Sequence, residues 1–287
     1  NKYILINKTH HMNIDYDNSS ISKLIDYFKQ EEISIAEVVS KNKTDIEKLI
    51  NQCTERIINQ NNIFLLGAGT SGRLAVIEAA ELYPTYSDST FKGIIAGDSK
   101  AMKHSVEGSE DSVTESINTL KKENINCNDL VIGISSSGTT PYTMSALDYC
   151  KSNNILTALI SNKTNHTYDI NINLGVDNEK ILDSTRMLSG TLTKQLLNII
   201  TSISMIKSGK TYKNLMISVQ PLNKKLINRS IKIISKITTL DTKQSEKLFY
   251  KSGKNIKVAV VSYLQNISFI EAEKLLDQNK GFLNRII

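Results

Sequence analysis

Hydroxyl side chains crowd two short loops of this 287-residue chain, and both loops stand directly behind apolar runs. The first is GAGTSGR, residues 67–73, behind Ile63-Phe64-Leu65-Leu66; the second is GISSSGTTPY, residues 133–142. Ser135, Ser137 and Thr140, with backbone amides exposed around Gly138, can surround a phosphate with neutral donors. A helix beginning there would supply favourable electrostatics from its positive end without a lysine. In either loop alone, Ser and Thr more commonly serve as turns or helix caps. Two such loops at the ends of neighbouring strands favour a small molecule carrying a single phosphate, with Thr70 and Ser71 facing its body. The first loop also spells G-x-G-x-x-G, which in a dinucleotide fold is followed by an acid about 20 residues on. Asp98 lies 26 residues beyond Gly72, a poor fit, and the hydroxyls of Thr70 and Ser71 would be superfluous around a pyrophosphate.

Two pairs of glutamates lie between the two loops in sequence. Glu78 and Glu81 stand in EAAE, and Glu107 and Glu110 in VEGSED. The residues alone do not choose among the four, because an exposed helical glutamate is usually solvated surface. Arg73 and Arg186 are either anion contacts or partners in local ion pairs, Arg186 with Asp183 or a nearby glutamate. Three cysteines at wide spacings and four histidines make neither a disulfide framework nor a metal pattern. No metal and no cofactor are expected, and a reducing compartment suits the cysteines.

The elements that must position these groups follow from periodicity. Residues 1–60 show apolar positions at three- and four-residue steps, as helices do. Short β-branched runs then appear at 63–66, 91–96, 130–134, 157–160 and around 170–174, with helical patterns between them. Alternation of this kind implies an α/β fold, a doubly wound five-stranded parallel sheet covered on both faces, with ligands outside the carboxyl ends of its strands. A long helix is expected over 190–206 and further helices after Pro221, where the Val-rich stretch 257–265 fits strand or helix. Three units result: a helical N-terminal segment over 1–52, the sheet domain over 53–216 and a small helical C-terminal domain over 222–287.

Composition excludes several classes. Hydrophobic residues at 40% and charged residues at 22% describe a globular chain, and no apolar run approaches bilayer length. The N-terminus lacks a signal-peptide layout, so a cytoplasmic location is expected. The net charge of +6 arises beyond Leu222, where 13 Lys and Arg face 5 Asp and Glu. Those cations are scattered through a Lys/Asn/Ile-rich composition, which reads as a solvated helical surface and not as a nucleic-acid interface.

At these residues the chain resembles a known family. Ser-x-Ser-Gly-x-Thr over 135–140 is similar to the phosphate loop of sugar isomerase (SIS) domains. The ordered set LGAGTSGRL, EAAELYPTY, HSVEGSEDS, SSGTTPY, DSTRMLSGT, MIKSGKTYKNLM and LLDQNKGFLNRII, beginning near Thr9, resembles the N-acetylmuramic acid 6-phosphate etherases. The resemblance implies removal of lactate from C3 of the amino sugar: a base takes the C2 proton, the ether oxygen leaves, and water adds. It marks Glu81 as the acid that protonates the departing oxygen and Glu110 as the C2 base, with the roles exchangeable. Phosphate binding falls to Ser135, Ser137 and Thr140, and the sugar to Thr70, Ser71, Ser184 and Thr191. It further implies helical reading of 257–265 and a homodimer with sites near the subunit interface. The chain departs from the family at Thr139, where Arg is usual, at Leu188, where Lys is usual, at Leu82-Tyr83 and at His10. Against the etherase stand a non-catalytic sugar-phosphate-binding regulator of the glucokinase-regulator type, which is much longer, and a SIS-type sugar-phosphate isomerase. A DNA-binding SIS regulator would need a basic recognition helix within residues 1–60, and none is evident.

Overall fold

The computed structural model describes residues 15–30, 33–163, 166–181 and 184–287. The stretch around Thr9, with His10 and His11, and Asp183 lie outside the described residues. Helices α1 (Ile21–Phe28), α2 (Ile35–Lys41) and α3 (Lys43–Asn59) come first, α2 opened by a reciprocal Ser34–Glu37 capping box.

Five parallel strands follow: β1 (Ile63–Gly67), β2 (Phe91–Ile95), β3 (Leu130–Ile134), β4 (Leu156–Ser161) and β5 (Ile170–Asn173), in the order β2-β1-β3-β4-β5. Their expected positions and the doubly wound α/β class are as read from the sequence. Successive strand residues feed opposite faces. Ile63, Leu65, Ile132 and Ile160 pack with α2, α3, α4 (Gly69–Tyr86) and α7 (Leu188–Lys207). Phe64, Leu66, Val131 and Leu159 pack with α5 (Glu115–Lys122) and α6 (Pro141–Ser152). Both faces are buried, which is why the strands read as continuous apolar runs rather than alternating ones.

This strand order places a topological switch between β1 and β3. The helix after β1 lies on one face and the helix after β3 on the other, so a crevice opens between the two strand ends. Gly67 pairs in register with Ile134, and both hydroxyl-rich loops therefore leave the sheet at the same level. The glycines of GAGTSG serve this closeness. A Cβ on Gly72 would sit 2.4 Å from the carbonyl oxygen of Gly67, and one on Gly67 would sit 2.8 Å from that of Ile134. The G-x-G-x-x-G spacing is thus explained by strand–helix packing.

Beyond α7, a small hairpin of β6 (Thr211–Tyr212) and β7 (Leu215–Met216) leads to α8 (Lys224–Thr238), α9 (Thr242–Lys251), α10 (Ile256–Gln265) and α11 (Phe269–Gln278). These helices share a core of their own, including Ile234, Phe249, Val258, Val260 and Leu276. The Val-rich stretch is helical because Asn255 caps it through Val258 and all of 258–261 are buried among neighbouring helices. Burial overrides β propensity there. Among the described residues no helix is long and apolar enough to cross a membrane.

Candidate functional site

The phosphate-type loop runs from the end of β3 into the first turn of α6. Its turn is closed by Gly138 N donating to Ser135 O at 2.9 Å, with Gly138 at φ +67. Thr140 is the N-cap of α6, yet its side chain makes no cap bond, and Pro141 fills the position whose N–H would be idle. The Thr140 hydroxyl instead meets Ser135 Oγ at 2.9 Å, and Ser135 Oγ lies 3.4 Å from Ser137 Oγ. Ser137 Oγ accepts from Thr139 N and from Thr139 Oγ1, at 3.2 and 3.1 Å. The hydroxyls of Ser135, Ser137 and Thr140 therefore cluster at a helix N-terminus, an arrangement suited to an anion.

The facing wall comes from the first loop. Gly69, at φ +54, turns the chain into α4, whose N-cap Ala68 offers no side-chain oxygen to the first-turn amides. Thr70 and Ser71 stand in that turn. A cavity of about 300 Å³ lies between the loops, lined by Thr70, Ser71, Ser136, Ser137, Thr140, Glu110, Ser184, Thr185 and Arg186 among others. Glu110 arrives on a short 3-10 turn, Ser109–Asp111, in the long connection between β2 and α5. Arg73 ties that connection down by donating to His104 O at 3.4 Å.

Of the expected residues, Thr70, Ser71, Ser137, Thr140, Ser184 and Glu110 line this cavity. Ser135 is buried beneath it and holds the hydroxyls of the loop. Thr191 is exposed in the first turn of α7 and lies outside the lining. Glu81 is also exposed and outside it. Eleven residues beyond Thr70 on α4, it stands about 16 Å further along the axis, nearly on the same face. The rival glutamates have other partners. Glu78 is buried, accepting from Thr201 Oγ1 at 2.6 Å and pairing with Lys194 on α7. Glu107 accepts from Ser105 Oγ at 2.8 Å.

Ser136 and Thr185, two further hydroxyl residues of the lining, were not among the expected site residues, and Arg186, weighed as an anion contact or an ion-pair partner, is the cation among the described lining residues. A further carboxylate, Glu179, is 9% exposed and accepts from the amides of Leu188 and Ser189 at 2.8 and 2.9 Å. It caps α7 and so fixes the side of the site bearing Ser184 and Arg186. Sequence offered no signal for it, since the cap lies nine residues upstream of the helix. Burial pushes the thiols of Cys53 and Cys150 up to about 12, which leaves them packing groups. Among the described residues no cluster of His, Cys, Asp and Glu could hold a metal ion.

A five-stranded parallel sheet of this order, with a hydroxyl-rich loop at its β1/β3 switch point, is that of a SIS-type domain. In agreement, the family model for the glucokinase regulatory protein N-terminal SIS domain matches residues 45–151. The chain belongs to the N-acetylmuramic acid 6-phosphate etherase family. It is 39% identical to the member from Listeria welshimeri, over 96% of this chain and 95% of that one. The Clostridium botulinum member is 39% identical over 98% and 96%, and the Staphylococcus epidermidis member 37% identical over 94% of each. Among solved structures, a phosphoheptose isomerase from Francisella tularensis aligns at 15% identity with a TM-score of 0.44, over 66% of this chain and 98% of that one.

Proposed function

We propose that this chain is a carbon–oxygen lyase that cleaves the lactyl ether of N-acetylmuramic acid 6-phosphate, giving N-acetylglucosamine 6-phosphate and D-lactate. The observation that carries the reading is the meeting of the Ser135–Thr140 cradle, the Thr70–Ser71 turn and Glu110 around one cavity. Phosphate in the cradle directs the sugar toward Thr70, Ser71 and Ser184. There Glu110 takes the C2 proton, acidified by the open-chain aldehyde. Expulsion of the C3 oxygen as lactate needs a proton donor, and return of water needs a base. Glu81 serves both steps, each positioned carboxyl contributing about 10²–10⁴-fold. The role of Thr191 is outer support of the sugar side.

Glu81 stands outside the cavity of its own chain, so the reading includes a homodimer in which a second copy brings Glu81 to the site. Ile77, exposed at 41% one helical turn before Glu81 on α4, supports an interface there. Mixed dimers test it. Glu81→Ala and Glu110→Ala chains, each inactive alone, should regain about a quarter of the wild-type rate of lactate release when randomly paired, because half the dimers then keep one intact shared site. No recovery after verified exchange would place both glutamates in one chain. The cytoplasmic location and the division at 52/53 and 216/222 belong to the same reading, the separate core of α8–α11 supporting the last boundary. A SIS-type isomerase is favoured by one observation, that Glu110 is the single glutamate among the described residues lining the cavity, which suffices for proton transfer between C1 and C2. It predicts C2 exchange without lactate.

A further inference from the structure

A second, larger cavity of about 610 Å³ lies where the ends of α3 and α4 and the turn after α7 meet the C-terminal helices. Lys210, Lys254, Lys257 and Lys280 line it, with Gln60, Ser87, Ser208, Ser218 and Asn255, and no carboxylate is among its lining residues. We propose that this cavity is a second anion site, taking the phosphate group of a small phosphorylated molecule on Lys254 and Lys280 at the amino end of α10.

Lys210 is matched by Asp88, with Nζ 2.8 Å from Oδ2, and both are mostly buried. Lys257 donates to the carbonyls of Gly209 and Gly281, at 2.9 and 2.7 Å, and so answers the carbonyl-rich turns that also reach the cavity. Lys254 and Lys280 are exposed, in left-handed turns at φ 64 and 53, with no carboxylate in ion-pair range among the described residues. Between them α10 presents its first turn, in which Asn255 occupies only the amide of Val258. As at any helix start, the first amides of α10 lack intrahelical acceptors, which favours an anion there. The volume suits a small metabolite.

Burial, and secondarily Lys210, bring the Lys257 ammonium down to about 8 from the ordinary lysine value. The other charged groups around it are Asp88, Lys254 and Lys280. A bound anion adds the opposite charge and should move Lys257 back up.

Inorganic phosphate titrated into the full chain, followed by backbone amide NMR, separates this cavity from the sugar pocket. The amides of Ile256 and Lys257 should shift saturably, independently of those of Gly138 and Thr139. In the Lys254→Met/Lys280→Met variant the first response should weaken at least about tenfold, while the second is unchanged. Failure of Ile256 and Lys257 to respond, or an undiminished response in the variant, overturns the proposal. Loss of the Gly138 and Thr139 response alone would count against the sugar pocket and leave this site standing. Glucose 6-phosphate in the same titration identifies the source: tighter binding than phosphate points to an ester, equal binding to the free ion.

Discussion

The two cavities hold opposite inventories. The pocket at the β1/β3 switch point has hydroxyls, helix-end amides, Glu110 and one arginine, and no lysine among its lining residues. The cavity under the C-terminal helices has four lysines and no carboxylate. Both suit an anion, but only the first has a carboxylate beside it. Neutral donors leave room for a carboxylate beside the phosphate, because they do not quench it as a cluster of ammonium groups would. They also make binding insensitive to the titration of any basic side chain.

Changes at the proton-moving group should break this contrast most severely. Glu110→Ala should lower lactate release by about 10²–10⁴-fold with phosphate binding intact, measured by coupled lactate assay and NMR titration. The cradle comes next. Ser137→Ala with Thr140→Val removes donors to a charged group, worth about 1.5–3 kcal/mol, and should raise KM by roughly 10–100-fold with kcat little changed. Glu78→Ala should act on stability alone. It opens a buried pair whose lysine is one-third exposed, so about 2 kcal/mol is expected by urea denaturation, with turnover per folded enzyme retained.

Smaller effects sharpen the second cavity. Lys257 has a lowered value in the folded chain, so between about pH 8 and the unfolded value near 10.5 the unfolded state holds a proton that the native state gives up. Stability from this group therefore rises with pH across that window and is lowest below it. Denaturation from pH 7 to 10 should show that rise in wild type and lose it in Lys257→Met. The least effect is on turnover by Lys254→Met/Lys280→Met, which should stay within about twofold of wild type, since neither lysine lines the sugar pocket.

Local pattern carried the sheet and both loops, because strands buried on two faces are apolar throughout and tight strand–helix turns demand glycine. The hairpin at β6 and β7 escaped notice, having only two residues per strand and no alternation to read. Glu78 and Glu81 show where periodicity stops. Three positions apart on one helix, they differ by which face meets α7, and that is settled by distant packing against Thr201 and Lys194. Tertiary structure also changed the meaning of the C-terminal charge. The cations beyond Leu222 read as a solvated surface, yet the chain's path brings Lys254, Lys257 and Lys280, together with Lys210, around one cavity.

The central claim is a C2 deprotonation that expels lactate. Incubating wild type, Glu110→Ala and Glu81→Ala with N-acetylmuramic acid 6-phosphate in deuterated water, and following C2 and free lactate by NMR, tests it directly. The account predicts lactate with deuterium at C2 of the product in wild type, loss of both in Glu110→Ala, and C2 exchange without lactate in Glu81→Ala. Substrate that binds wild type yet neither exchanges at C2 nor releases lactate would contradict it.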